Sequence, residues 1–388
     1  MTPLRNFFSD LLVIETATIL AGPAVGMFLA ELGATVIKVE NVKSGGDSTR
    51  GWRLKGESSK TDISAYFSSV NWGKKSLALN LSDEADRQIL FDLLAKSDIL
   101  LQNFRPAVQK RLGLTYPELR QLNDQLICAQ VTAYEPGDNR PGFDAMMQAE
   151  TGFMQINGAP DGPPTKMPVA LIDVLSAHQL KEAVLLALLN RHLTGEGSEL
   201  TVSLFQSGLA SLVNQATNYL VADFVPTRQG SDHPNVSPYG AVYQTADGKD
   251  VILAVGTDRQ FVILCEVLEM PALATDPRFV TNVDRVANND ALKAILAEQI
   301  STLSQDDLLE QLSQAGVPAG AVRRMDDVFA QPLAQAMIHE GQLADGTAIQ
   351  GVRGISFTLP DGSALQALTP PPHLDEHRAE VLAEIQKR

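Results

Sequence analysis

Cysteine is nearly absent from this chain: among 388 residues only Cys128, in an apolar strand-like run, and Cys265, in a helix-like one, occur. Two such thiols build no disulfide framework, and with six scattered histidines they show no metal-ligand spacing, so the expectation is a reducing cytoplasm and no metal. Positive charge is also short. The 31 Lys and Arg face 46 Asp and Glu, and a net charge of −15 argues against nucleic acid. No apolar run reaches bilayer-spanning length; the stretch from Phe7 to Leu20 is interrupted by Asp10 and Glu15, so neither a membrane span nor a signal peptide is expected. Two phosphate signatures are missing as well. No Gly-x-Gly-x-x-Gly follows the first strand and no Gly-x-x-x-x-Gly-Lys-Ser/Thr occurs, which removes the best support for nicotinamide and ATP.

What is present is a chain that is 44% apolar and long enough to bury a large core and divide in two. Leu11 to Ile14 reads as a buried strand, Ala24 to Leu32 as a helix after Ala21-Gly22-Pro23, and Thr35 to Val39 as a second strand. Strands at Ser76–Leu79, Ile99–Leu101 and Leu126–Gln130 alternate with helices at Glu84–Ala95 and Tyr116–Leu122. That alternation predicts an α/β fold with a doubly wound, Rossmann-like parallel sheet. A last strand at Leu200–Ser203 and a long helix from Leu204 to Val221 precede a Pro-, Gly- and Ser-rich stretch, which marks a boundary. Residues 1–222, rejoined by 333–388, are expected as the large domain and 223–332 as a small α+β one. The small one is read as a hairpin turning at Asp247-Gly248 and helices at Phe261–Leu268, Asp290–Leu303 and Asp306–Ala315. Two short strands around Gly351–Leu359, a turn at Asp361-Gly362 and a helix from Asp375 close the chain.

The acid Asp173 follows the strand-like run Met167 to Ile172 and opens a long apolar helix. A carboxylate at a strand-to-helix junction is a common N-cap, but the carboxyl end of a strand is also where open α/β sheets gather ligands. It is the candidate nucleophile. Lys38, Lys43, Arg50, Arg53, Lys55, Lys60, Lys74 and Lys75 form a basic stretch that reads either as an anion-steering patch or as a solvated face.

The segments Leu20 to Pro23, Glu31 to Glu40, Gly46 to Arg50, Gly73 to Leu79, Gln102 to Pro106 and Gly142 to Asp144, followed by Asp173, resemble the class III (CaiB/BaiF) CoA-transferases, the family of formyl-CoA and carnitine CoA-transferases. The resemblance runs nearly end to end. It implies that Asp173 attacks an acyl-CoA thioester to form an aspartyl acyl anhydride, that CoA thiolate returns or stays nearby, and that a carboxylic acid finally takes the CoA. It also implies CoA contacts at Leu20, Ala21, Leu79, Asn103, Phe104 and Arg111, a substrate pocket at Tyr66, Phe143 and Asp144, no resident cofactor beyond the CoA thioester substrate, and an interlocked homodimer. By residue type alone Arg111 also reads as a solvated helix face, Phe104, Tyr66 and Phe143 as packing, and Asp144 as a cap.

This chain departs from the family pattern at Ala177, where glycine is usual, and at Ala133-Tyr134-Glu135 in place of Gly-Tyr/Phe-Gly. Gln229 to Tyr239 replaces the glycine loop of formyl-CoA transferase and is similar to dicarboxylate-using members such as glutarate or oxalate CoA-transferases. His233 in that loop reads as a local hydrogen-bonding residue. Two alternatives stay open: an α-methylacyl-CoA racemase-like isomerase, whose Gly-His-Asp element is here Gly142-Phe143-Asp144 without a proton-transferring side chain, and a non-catalytic CoA-binding protein.

Overall fold

The computed structural model describes residues 7–358 and 367–387. Among them, contacts gather residues of 1–151, 168–216 and 335–388 in one unit, and 152–167 with 217–334 in a second. Residues 152–167, expected with the first 222 residues, thus group with the second unit.

In the first unit β1 (Leu12–Glu15), β2 (Thr35–Asn41), β3 (Lys74–Leu79), β4 (Ile99–Gln102), β5 (Ile127–Thr132) and β6 (Ser198–Ser203) pair in the order β3-β2-β1-β4-β5-β6. Every pairing is parallel. Side chains alternate across the pleat. Leu12, Ile14, Ile37, Val39, Leu77 and Leu79 share one face and form a core with Leu90, Leu93, Leu119 and Val381. Each such buried side chain contributes about 1.5–3 kcal/mol.

The other face carries charge. Glu15 lies in register with Lys38, Lys38 with Ser76, and Val36 with Lys74. Lys38 Nζ is 3.0 Å from Glu15 and 3.0 Å from Asp47, and Lys74 Nζ is 2.8 Å from Glu15. Arg50 pairs with Glu40 at 2.7 Å. Lys38, Lys74 and Arg50 are all buried, so the expected basic patch loses three of its members to internal pairing. A β-carbon on Gly26 would stand 1.9 Å from Glu15 Oε2, which is why the Ala21–Glu31 helix presents glycine to this carboxylate.

The exposed edge of β3 is closed by the C-terminal segment. Asp375 accepts the Ala78 N–H at 2.8 Å, and the His377 N–H donates to Ser76 O at 3.1 Å, satisfying groups that an open edge would offer to another chain. Helix Arg378–Lys387 follows. The short strands of the tail fall earlier than expected, at β10 (Ile338–Gln342) and β11 (Ala348–Val352), because Gly346 (φ 85°) makes the turn. The turn expected at Asp361-Gly362 lies outside the described residues.

The second unit holds the antiparallel sheet β7 (Tyr239–Gln244), β8 (Asp250–Ala254) and β9 (Ala319–Ala321), with Gly248 at φ 72° in the hairpin turn. Helices Asp258–Val267, Asn289–Ile300 and Gln305–Gln314 cover it through Phe261, Leu264, Leu292, Leu296, Leu308 and Leu312. His233 accepts the Asn235 N–H on Nδ1 at 3.1 Å, a local bond within its loop.

Two other expectations are corrected. The single helix over Leu204–Val221 is two, Leu204–Ala210 and Asn214–Ala222, broken where Val213 takes φ 40°. Met167 to Ile172 is not a strand: the Leu171 N–H bonds to Val169 O at 2.8 Å and the helix begins at once. β5 already pairs with β6, so the sheet has no place between them for such a strand.

Candidate active site

The strand order reverses between β1 and β4, and open parallel sheets hold ligands in the crevice beyond the carboxyl ends at such a reversal. A cavity of about 470 Å³ lies there, walled by Thr18–Ala21 after β1, Asn103–Pro106 after β4, Val131–Ala133, Arg140–Phe143, Leu204 and Asp173. Its volume is in the range of small-molecule and cofactor sites.

The wall after β1 is held by an unusual backbone. Ile19 has φ 77°, a left-handed conformation that a β-branched residue adopts only under constraint. The constraint is Asp47, which accepts the Ile19 N–H at 3.1 Å and is itself fixed by Lys38 at 3.0 Å and the Thr49 hydroxyl at 2.8 Å. Burial alone would raise the Asp47 carboxyl; Lys38 and the Thr49 N–H outweigh it and hold the group below the ordinary range. Burial likewise opposes the Lys38 ammonium, and Glu15, Asp47 and Glu40 overcome it and keep Lys38 charged. Lys74, with Glu15 against it, stays dominated by burial and is lowered to about 8. The Ala21–Glu31 helix then starts without a side-chain cap, and its first residue, Ala21, lines the cavity.

The wall after β4 is clamped to it. Asn103 Nδ2 donates to Thr18 O at 3.0 Å, and Asn103 Oδ1 accepts the Thr18 N–H at 3.3 Å. Phe104 packs against the core and lines the cavity beside Arg105. The structure therefore brings Leu20, Ala21, Asn103, Phe104, Phe143 and Asp173 around one cavity. Leu79 is fully buried on the core face of β3, and Arg111 is exposed on helix Pro106–Leu112; neither lines the cavity. Arg105 does line it and was missed, although it sits inside the Gln102-to-Pro106 segment that drew attention. Arg140 also lines it, paired with Asp138 at 2.7 Å and stacked 3.6 Å over the Tyr134 ring. Gly142 is fixed by steric need: a β-carbon there would lie 2.4 Å from that of Ala133.

Asp173 is the third residue of the 24-residue helix Leu171–Thr194, whose cap position is Ala170, so Asp173 is no N-cap. It is 8% exposed. Among the described residues no hydrogen bond or ion pair engages its carboxylate. Burial, and then the charge of Asp144, push it up to about 7. The Tyr66 phenol is raised too, by burial and then by Asp173, Asp144 and Asp47, which places it among these acids; its ring meets Trp52 edge-on at 5.1 Å. Asp144 does not line the cavity: it accepts the Ile172 N–H at 2.8 Å and the Gln148 amide at 2.7 Å. Ala177, one turn beyond Asp173, is buried and outside the cavity wall, so its methyl does not narrow the approach.

A parallel sheet with this strand order, a cavity at its reversal and a buried, unbonded carboxylate in the cavity wall have the layout of an α/β enzyme with its ligand crevice beyond the carboxyl ends of the strands. Residues 8–378 match the model of CoA-transferase family III, and the chain belongs to that family of acyl-CoA:carboxylate CoA-transferases. It is 37% identical over 386 residues to a succinate–glutarate CoA-transferase of Agrobacterium fabrum, covering 97% of this chain and 95% of that one. To an acetyl-CoA:oxalate CoA-transferase of Acetobacter aceti it is 40% identical over 317 residues, 81% of this chain and 80% of that one. A crystal structure of a CaiB/BaiF family protein from Brucella suis superposes with a TM-score of 0.81 at 38% identity, covering 97% and 98% of the two chains.

Proposed function

We propose that the protein moves CoA from an acyl-CoA to a dicarboxylic acid with Asp173 as the nucleophile. The observation that carries this reading is the Asp173 carboxylate, buried in the cavity wall with its oxygens unengaged by the described residues. An Asp173 oxygen adds to the thioester carbon, the C–S bond breaks, and CoA leaves as thiolate from an aspartyl acyl anhydride. The thiolate adds to the aspartyl carbonyl, giving an aspartyl thioester and releasing the donor acid. The acceptor carboxylate repeats the exchange: it displaces thiolate to form a second anhydride, and thiolate then takes the acceptor acyl group and frees Asp173. Asp173, pushed up to about 7, attacks as its ionised form; once it is ionised no proton is moved in any step.

In this reading Leu20, Ala21, Asn103 and Phe104 bound the CoA site within the first unit, while Tyr66 and Phe143 flank the acyl groups. Arg105 and Arg140 supply cationic groups at the same wall. The preference for dicarboxylic acids is supported by relatives named for succinate, glutarate and oxalate. Phe143 in the wall has no proton to exchange, which disfavours racemisation. A homodimer is supported by Leu185, Leu186, Leu189 and Leu193, all exposed along one helix, and a reducing cytoplasm by the two unpaired, buried thiols. Turnover of succinyl-CoA with mono- and dicarboxylic acids of matched length, read as CoA esters by chromatography, tests the substrate class. Dicarboxylates should lead in kcat/KM by about tenfold or more, since a site built for a polar group rejects analogues lacking it. Equal or better turnover of monocarboxylates contradicts the assignment.

A further inference from the structure

Ala170, at the cap position of the catalytic helix, has no side-chain oxygen to satisfy the first-turn N–H groups. The missing cap comes from elsewhere. Asp144, 28 positions before Ile172 and on the separate helix Asp144–Glu150, accepts the Ile172 N–H on Oδ1 at 2.8 Å. Its Oδ2 accepts from Gln148 Nε2 at 2.7 Å, and the same Gln148 nitrogen reaches Val169 O at 3.2 Å. Gln148 is fully buried and Asp144 nearly so. A second first-turn group, the Leu171 N–H, is taken by Val169 O. A carboxylate in the first turn is drawn to the free N–H groups there, which fix its oxygens and stabilise its charge. Here the Leu171 and Ile172 N–H groups are held by Val169 O and Asp144 Oδ1, and Asp173 makes no bond to its own helix start.

We propose that Asp144 is a positioning residue for Asp173: it caps the catalytic helix from a neighbouring helix, so that the Asp173 oxygens stay unengaged and face the cavity. The role rests on Asp173 being the nucleophile. It differs from the substrate-pocket role implied by the resemblance, because Asp144 is spent on the backbone and lies off the cavity wall. The same placement sets the charge environment. Asp144 faces Asp173 from its helix, Tyr66 from the Ala65–Ser68 helix, and Asp138 with Arg140, themselves paired, share the cavity wall with Arg105. The Ala21–Glu31 helix has its one charged residue at its far end, and Leu204–Ala210 has none. Asp144 is thus the carboxylate whose removal should make Asp173 easier to ionise.

Two variants separate capping from charge. Asp144→Asn keeps an oxygen for the Ile172 N–H and removes the charge; Asp144→Ala removes both. Rates of CoA transfer are measured from pH 5 to 9, alongside mass-spectrometric labelling of Asp173 by acyl-CoA in the wild type. Asp144→Asn should keep the plateau kcat within about threefold and move the acid limb down by about one pH unit, as loss of a neighbouring like charge requires. Asp144→Ala should lower kcat by about tenfold or more at every pH with KM for acyl-CoA changed by less than about threefold. An unmoved acid limb in Asp144→Asn, or a change confined to KM for the acceptor acid, overturns the positioning role while Asp173 labelling leaves the nucleophile standing. Absence of label on wild-type Asp173 sinks the nucleophile, and this inference with it.

Discussion

Replacing Asp173 with Asn should stabilise the protein at pH 8 and leave it nearly unchanged at pH 4. The carboxyl is raised from 3.8 to about 7 by burial and by Asp144. Between those values the folded state keeps a proton that the unfolded state has lost. Stability therefore falls as pH rises from about 4 to about 7 and levels off above it. A shift of about three units corresponds to on the order of 4 kcal/mol, an upper figure for this nearly buried group. Asn occupies the same volume without a charge to desolvate, so the variant escapes this penalty while losing transferase activity, the trade expected of a strained functional group. Urea unfolding of wild type and Asp173→Asn at several pH values, with the slope m checked for constancy, reads the difference directly. A variant no more stable than wild type at pH 8, or one whose gain is the same at pH 4 and pH 8, refutes the claim that Asp173 is held in an environment hostile to its charge.

Asp47→Asn removes a partner from buried Lys38 and loosens the acceptor of the Ile19 N–H; breaking a buried pair should cost about 3–5 kcal/mol in unfolding free energy and raise KM for acyl-CoA. Unchanged stability would show that Glu15 alone suffices for Lys38. Asn103→Ala opens the clamp between the loops after β1 and β4, two hydrogen bonds of about 1 kcal/mol each. KM for acyl-CoA should rise by about five- to tenfold with a smaller change in kcat, and an equal fall in kcat at constant KM would contradict a role confined to shaping the CoA wall.

The parallel sheet was legible because most of its strands hold short apolar runs set between helical stretches, a pattern that implies parallel pairing through right-handed crossovers; the order β3-β2-β1-β4-β5-β6 comes from the pairing itself. The segment before Asp173 was not. Met167 to Ile172 has the composition of a strand, and only the completed β5–β6 pairing shows that no strand fits there. Ile19 was invisible for a related reason: its left-handed backbone is imposed by Asp47, distant in sequence, in a place where a dinucleotide fold uses glycine. The basic stretch misled because charge counts do not show which lysines a sheet will bury; register puts Lys38 beside Glu15. Asp173 and the loops around Leu20 and Asn103 were found by motif, and geometry adds Arg105 to the wall while Leu79, Arg111, Tyr66 and Asp144 lie off it.

The most direct test is intact-protein mass spectrometry after mixing with succinyl-CoA, followed by hydroxylamine treatment and peptide mapping, in wild type and Asp173→Ala. The account predicts an acyl or CoA adduct on the Asp173 peptide of the wild type, converted by hydroxylamine and missing in the variant. CoA transfer with no such adduct across a panel of acyl-CoAs, or an adduct that persists in Asp173→Ala, would contradict it.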